Sequence, residues 1–281
     1  MKKEGGNLMK KWSAVLTALM IPMLLFVSCA AAQELRVDFY DMGKADAMLI
    51  TTPSGQRILI DTGTNKGGKA LVERFEAEGI DVIDVMIITH YDKDHVGGAD
   101  KVLEDIGVRQ VYMPVYDKES KQHTQFMEAL EVSDAVQHPL EIGSQTAFDT
   151  GDGVALHITA AHRHSYGHDE ENDFSLAVRL TYGETKFFFA GDAEAPRQME
   201  LLEEGNVACD VLKVPYHGRL VKASEAFIRE ASPKIAFIPD GDDDPASPVV
   251  IGLLEETGAK VYCGRDGSIA VVSDGRDVKV L

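Results

Sequence analysis

Residues 89–95, Thr-His-Tyr-Asp-Lys-Asp-His, put two imidazoles and two carboxylates within six positions: His90, Asp92, Asp94 and His95. Imidazole nitrogen and carboxylate oxygen together suit a divalent cation such as zinc, manganese or iron(II). The side chains of His90, Asp92 and Asp94 converge only if the chain turns there. Val96-Gly97-Gly98 follows and permits a tight entry into a helix. The competing reading is a helix start with solvated charges, Asp94 as its cap and His95 exposed. Three further polar groups stand at the ends of apolar runs. Asp61 follows Ile58-Leu59-Ile60, Asp192 follows Phe187-Phe188-Phe189-Ala190-Gly191, and His217 lies beyond Val211-Leu212-Lys213-Val214. Each alone reads as a strand-ending turn. Together they can meet at one edge of a sheet sandwich.

The elements that must carry them are legible in outline. Leu35–Tyr40, Ala45–Thr52 and Arg57–Asp61 are short β-type runs, with Pro53-Ser54-Gly55 turning between the last two. Helical spacing covers Lys69–Glu78. Val82–Thr89 is one continuous apolar run, the pattern of a strand covered on both faces. Helices are expected at 98–105, 121–132, 198–203, 224–230 and 249–257. Strands are expected at 108–113, 154–160, 174–180, 185–190, 211–215, 234–239, 260–263, 268–272 and 278–281. Strand clusters with interspersed helices, in two halves, predict a layered α/β sandwich.

His-x-Asp-x-Asp-His resembles the His-x-His-x-Asp-His motif of the metallo-β-lactamase superfamily, with Asp92 in the second histidine position. That variant is typical of the β-lactamase-like domain of ComEC-type competence DNA-uptake proteins and of their stand-alone relatives. Asp41-Met42-Gly43-Lys44-Ala45-Asp46-Ala47, Glu171-Asn172-Asp173-Phe174-Ser175-Leu176, Leu212-Lys213-Val214-Pro215-Tyr216-His217-Gly218 and Asp266-Gly267-Ser268-Ile269 are similar to further motifs of that family, in order, across residues 35–281. The resemblance implies a four-layered αββα sandwich over residues 33–281 and a site for two divalent metal ions, zinc first and manganese second. It implies that His90 and Asp92 hold one metal, Asp94 and His95 the other, that Asp192 bridges them and that His217 completes the second site. Asp61 then orients ligands from behind, and Asn172 lies near the first metal. The chain departs from the family at Tyr216, where a histidine is usual, and at Ala246-Ser247-Pro248, where the family carries Gly-His-Pro. His162, His164 and His168 crowd the loop before Asn172, as substitute ligands or as a solvated loop.

Two such cations sharing a water would lower its pKa and give hydroxide at neutral pH, with Asp94 positioning that water. A site rich in carboxylates favours phosphoryl oxygen. The expected activity is therefore hydrolysis of phosphodiester bonds, as a nuclease or phosphodiesterase. Lys213 and Arg219 are candidate phosphate contacts, beside solvated or structural roles for each. The alternatives are a lactone, lactam or ester hydrolase on the same site, and a non-catalytic DNA-uptake accessory.

Residues 1–32 read as an export signal: Lys10 and Lys11, an apolar run from Ala14 to Val27, then Ser28-Cys29-Ala30-Ala31-Ala32. Ordinary cleavage leaves Gln33 first. A lipoprotein box at Phe26-Val27-Ser28-Cys29 puts a lipid on Cys29 and ties the protein to the outer face of the membrane. A retained anchor helix is a third alternative. The chain carries −18, which repels long nucleic-acid duplexes and favours small phosphodiesters or single strands. Cys209 and Cys263 are expected as buried free thiols, with a disulfide between them as the alternative.

Overall fold

Ile58, Leu59 and Ile60 are all fully buried, yet they serve two different cores, because successive strand residues face opposite sides of a sheet. Ile58 and Ile60 join Phe39, Ile87, Val178, Phe187, Phe189 and Phe237 between two sheets. Leu59 joins Leu71, Phe75, Met86 and Phe126 beneath one layer of helices. Phe188, Leu212 and Ala236 repeat the arrangement on the far side, with Leu201, Phe227 and Leu254. The continuous apolar runs of the sequence are thus strands covered on both faces. The layers stack as helix, sheet, sheet, helix in a computed structural model that describes residues 34–167 and 170–281. The expected export signal, Cys29 with its lipid, Gln33 and His168 lie outside the described residues. Among those described, no helix is long and apolar enough to cross a membrane.

The first sheet orders its strands Val278–Val280, Ile269–Ser273, Leu35–Phe39, Met48–Thr51, Arg57–Ile60, Val85–Ile87, Gln110–Pro114 and Val136–Leu140. The second runs Lys260–Cys263, Ile235–Ile238, Val211–Lys213, Thr185–Phe189, Ala177–Tyr182, Val154–Thr159 and Gln145–Asp149. Each sheet joins an antiparallel meander to a parallel run. In the first, Arg57–Ile60, Val85–Ile87 and Gln110–Pro114 are parallel. In the second, Thr185–Phe189, Val211–Lys213 and Ile235–Ile238 are parallel. Parallel neighbours need crossovers, which the helices Asn65–Ala77, Ala99–Asp105, Ala195–Glu204 and Ser224–Ala231 supply. The carboxyl ends of parallel strands are where an open α/β sheet presents its loops to a ligand. Asp61, His90, Asp192 and His217 all follow such ends.

Three expectations need correction. Val82–Thr89 is not one strand: Val82–Ile83 pairs with Gly107–Val108 in a separate ribbon, and Val85–Ile87 enters the main sheet. The break falls at Asp84, whose carboxylate accepts from the Arg57 N–H at 2.8 Å and from Arg109 at 2.7 Å. The strand expected at 174–180 begins only at Ala177, because Glu170–Phe174 forms a 3-10 turn. Strands Val136–Leu140 and Gln145–Asp149 were not legible, being largely exposed edge strands with weak apolar patterning. Cys209 and Cys263 are buried free thiols.

Candidate metal centre

Asp61 organises the site from within the core. Fully buried, it accepts from the Thr89 N–H at 2.8 Å and the Thr89 hydroxyl at 2.7 Å, and its Oδ2 lies 2.8 Å from His95 Nδ1. Since the Thr89 hydroxyl gives its proton to Asp61, its oxygen is left to accept from His90 Nδ1 at 3.1 Å. His217 Nδ1 donates to the Pro239 carbonyl at 2.7 Å. All three imidazoles therefore carry their hydrogen bond on Nδ1 and turn Nε2 inward, the arrangement that fixes a ligating tautomer. The Nε2 atoms of His90, His95 and His217 are buried, with no backbone or hydroxyl partner among the described residues.

Carboxylates face those nitrogens. Asp192 Oδ2 is 2.8 Å from His217 Nε2 and 3.4 Å from His95 Nε2. Asp94 Oδ2 is 3.4 Å from His217 Nε2. Asp92 Oδ2 is 3.9 Å from His90 Nε2, while its Oδ1 pairs with Lys118 at 2.9 Å. The rings of His90 and His95 lie 4.1 Å apart between centroids, and those of His95 and His217 5.5 Å. His90, Asp92, Asp94, His95, Asp192 and His217 thus meet at one cleft. Buried polar atoms left unpaired are costly. Imidazole and carboxylate lone pairs aimed at a common point are the donor set of a divalent cation, so these residues fit the two-metal group that the sequence motif implies.

The protonation pattern agrees. Burial and the neighbouring His95 push His90 down to about 4, so it is neutral at neutral pH. Burial would lower His217, but Asp192 and Asp94 raise it to about 9. Burial would raise Asp94 and Asp192, yet His217 and His95, with Lys213 added at Asp192, hold both below the usual carboxylate range. Without a cation, His95 and His217 hold protons among these carboxylates while His90 stays neutral.

Backbone strain supports the geometry. Asp61, Tyr216 and His217 have φ of 56°, 50° and 51°, a region that residues other than glycine enter at a cost. Gly191 (φ 53°) is required on steric grounds: a Cβ there would sit 2.7 Å from the Ser175 side chain. Ser175 in turn accepts from the Asp192 N–H at 3.0 Å.

Several residues stand elsewhere than expected. Lys213 is fully buried and bonds Gly191 and Asp192, so it is neither a phosphate contact nor solvated. Asn172 donates to Glu194 at 2.8 Å, leaving its Oδ1 buried without a hydrogen-bond partner at the cleft. His162 pairs with Glu204 at 3.1 Å and borders a different cavity, and His164 is exposed; neither reaches the cleft. Asp46 was missed as a site residue. It is fully buried, and with His95, Asp192 and His217 offers ligand atoms within 4.8 Å of one another. It approaches the imidazoles from behind, however, 3.7 Å from each Nδ1. Its place in the Asp41–Ala47 motif was the available signal.

The cleft opens to solvent with a volume of about 480 Å³. Asp92, Asp94, Glu171 and Asp192 line it together with Lys44, Lys93, Lys118, Asn172, Tyr216 and Arg219.

The profile described as "Metallo-beta-lactamase superfamily" matches residues 40–239. "ComE operon protein 3" of Bacillus subtilis is 28% identical over 243 residues, covering 80% of this chain and 30% of that protein. "Recombination protein 2" of Haemophilus influenzae is 26% identical over 215 residues, covering 75% of this chain and 25% of that protein. The chain thus spans under a third of the length of these relatives. Among solved structures, zinc-bound PqqB of Methylobacterium extorquens shares the fold, with TM-score 0.52 and 9% identity over 78% of this chain and 85% of that one. A long-form RNase Z from yeast shares it with TM-score 0.50 and 11% identity over 89% of this chain and 43% of that one.

Proposed function

The chain belongs to the metallo-β-lactamase superfamily, and on that premise we propose that it is a metal-dependent hydrolase of phosphodiester bonds. The observation that carries the hydrolase reading is the convergence of three buried Nε2 atoms with the carboxylates of Asp94 and Asp192 beside an open cleft. A binding module has no need of so costly a set. His90, Asp92, Asp94, His95, Asp192 and His217 would hold two divalent ions, zinc or manganese. Bound ions of this kind supply a nucleophile from water at neutral pH and polarise the bond under attack. The protein's own residues do the rest. Asp61, Thr89 and Pro239 fix the imidazole tautomers. Asp94, lining the cleft and ionised at neutral pH, orients the attacking water. Asn172 and Tyr216 shape one wall.

Support for a phosphodiester comes from the rim. In a chain of net charge −18, Lys44, Lys93, Lys118 and Arg219 gather at one opening. Three of them share acids: Lys44 and Arg219 with Asp244, and Lys118 with Asp92 and Glu171. Lys93 is exposed and has no ion pair among the described residues. Such a rim suits an anionic phosphoryl group better than a neutral lactone. The names of the relatives, a recombination protein among them, make single-stranded DNA the polymer to try first. Residues 1–32 support export, with cleavage before Gln33, a lipid on Cys29 and a retained anchor as the alternatives that an N-terminal mass measurement separates.

The deciding assay offers purified protein bis-p-nitrophenyl phosphate, single-stranded DNA and a lactone, each with Mn²⁺ and with Zn²⁺. Turnover of the phosphodiesters is expected, abolished in Asp94→Ala while the thermal melt stays cooperative. Turnover of the lactone alone would move the activity to esters. No turnover of any of the three with metal bound would sink the hydrolase reading.

A further inference from the structure

Lys213 is among the largest fully buried side chains, and its ammonium has three oxygen partners. It bonds the Gly191 carbonyl at 2.8 Å and Asp192 Oδ1 at 3.1 Å, and lies 2.5 Å from Asp46 Oδ2. An ammonium has three protons to give, so this one is fully engaged. Asp46 is fully buried as well, its Oδ2 against the Lys213 ammonium and its Oδ1 without a hydrogen-bond partner among the described residues. The two buried groups compensate each other by contact, and Asp192 offers the ammonium a second carboxylate.

The arrangement divides the oxygens of Asp192 between two tasks. Oδ1 is held by Lys213, and Oδ2 is presented to His217 and His95. It also divides the two carboxylates. Asp192 faces the Nε2 atoms that are free to bind a cation. Asp46 lies on the Nδ1 side of the same rings, tied to Lys213. Without a cation there, Asp46 would be an uncompensated buried charge within 4.8 Å of the ligand atoms of His95, Asp192 and His217.

We propose that Lys213 is a positioning residue: a built-in cation that turns Asp192 Oδ2 toward the metals and holds Asp46 out of the ligand set. The proposal rests on the reading of this cleft as a metal centre. Lys213 touches no substrate and acts through Asp192.

The test uses full-length protein stripped of metal and titrated with Co²⁺, following heat and visible absorption. The variant is Lys213→Met/Asp46→Asn, which removes both charges together and roughly keeps the buried volume. The expected result is a variant that still melts cooperatively, binds Co²⁺ about tenfold or more weakly and shows shifted absorption bands. A folded variant with wild-type affinity and unchanged bands overturns the proposal. If wild-type protein itself takes up no Co²⁺, the metal-centre reading falls and takes this one with it, an outcome told apart by the wild-type arm alone. Should the double variant fail to fold, Lys213→Arg serves, which keeps the buried charge but moves its donors relative to Asp192 Oδ1. Co²⁺ binding weakens and its bands shift, whereas unaltered binding again overturns the proposal.

Discussion

Asp61 sits at the hub of the hydrogen bonds that aim the imidazoles, yet it faces no ligand atom of the cleft. Its carboxylate holds Thr89 and His95 directly, and His90 through the Thr89 hydroxyl. Asp61→Ala should therefore lower zinc affinity by about 10–100-fold, the usual cost of losing a partner behind a ligand. Asp61→Asn should lose less, because asparagine tolerates the φ of 56° and still accepts from the Thr89 N–H. Titration calorimetry checks both, and equal affinity in wild type and Asp61→Ala would remove Asp61 from its role. At this scale the sequence was informative. The residue types at 61, 90, 92, 94, 95, 192 and 217 were readable as strand-end polar groups, because such groups have few other reasons to follow buried strands. Asp46 and Lys213 were harder to read. A charged residue beside an apolar strand looks solvated until its partner, here 167 positions away, is seen.

Between residue and whole molecule, the helices set the position of the loop that carries His90 to His95. Helix Asn65–Ala77 packs against helix Ala99–Asp105 at Gly68 and Gly98. A Cβ on Gly98 would lie 2.5 Å from Gly68 Cα and from the Thr62 carbonyl, both backbone atoms that cannot swing aside. The His95 carbonyl accepts from the Thr62 N–H at 2.8 Å and hydroxyl at 2.9 Å, so displacing this junction moves His95. Gly98→Ala should cost about 1–3 kcal/mol, as overpacking does, and should weaken metal binding as well. Thermal melting with and without zinc measures the two effects. An unshifted melt would show that the helices can part freely. The Val96-Gly97-Gly98 turn was legible as a tight helix entry, but the close approach to Gly68 was not, since glycine carries no sign of which backbone it admits. The 3-10 turn at Glu170–Phe174 was hidden for a related reason: Phe174, Leu176 and Val178 alternate as a strand does, and only tertiary contacts decide where pairing begins.

Over the whole molecule, buried titrating groups make the stability of the metal-free protein depend on pH from both sides. His217 is raised from 6.5 to about 9, so its contribution is full below pH 6.5 and is lost as pH climbs toward 9. His90 is lowered to about 4, so the unfolded chain takes up a proton that the folded one refuses. His90 alone would lower stability as pH drops from 6.5 toward 4. Asp94 and Asp192 are depressed below 3.8, and their contribution disappears only in stronger acid. Asp173, raised by burial to about 6, offsets much of the His90 effect between pH 4 and 6, so the melting temperature of metal-free protein should fall chiefly as pH rises from 6.5 toward 9. The rise produced by added zinc should grow between pH 6.5 and 9, because the metal no longer has to displace a proton from His217. A zinc-induced rise that does not vary with pH across that range would argue that His217 is not a ligand.

What the chain determined by itself was which residues can do chemistry and that they close strands of a layered α/β sandwich. Burial periodicity and side-chain type are local properties, and the family motifs are written in them. What only the tertiary structure decided was which side of each ring faces a cation and which carboxylate stands behind it. Asp46, Asp61, Lys213 and Pro239 come from four separate strand ends, and their distances are set by how two sheets pack. The sequence left Lys213 between a phosphate contact, a solvated charge and a structural role. Packing against Asp46 and Asp192 made it part of the core, because a buried ammonium is stable only where fixed carboxylates already wait for it.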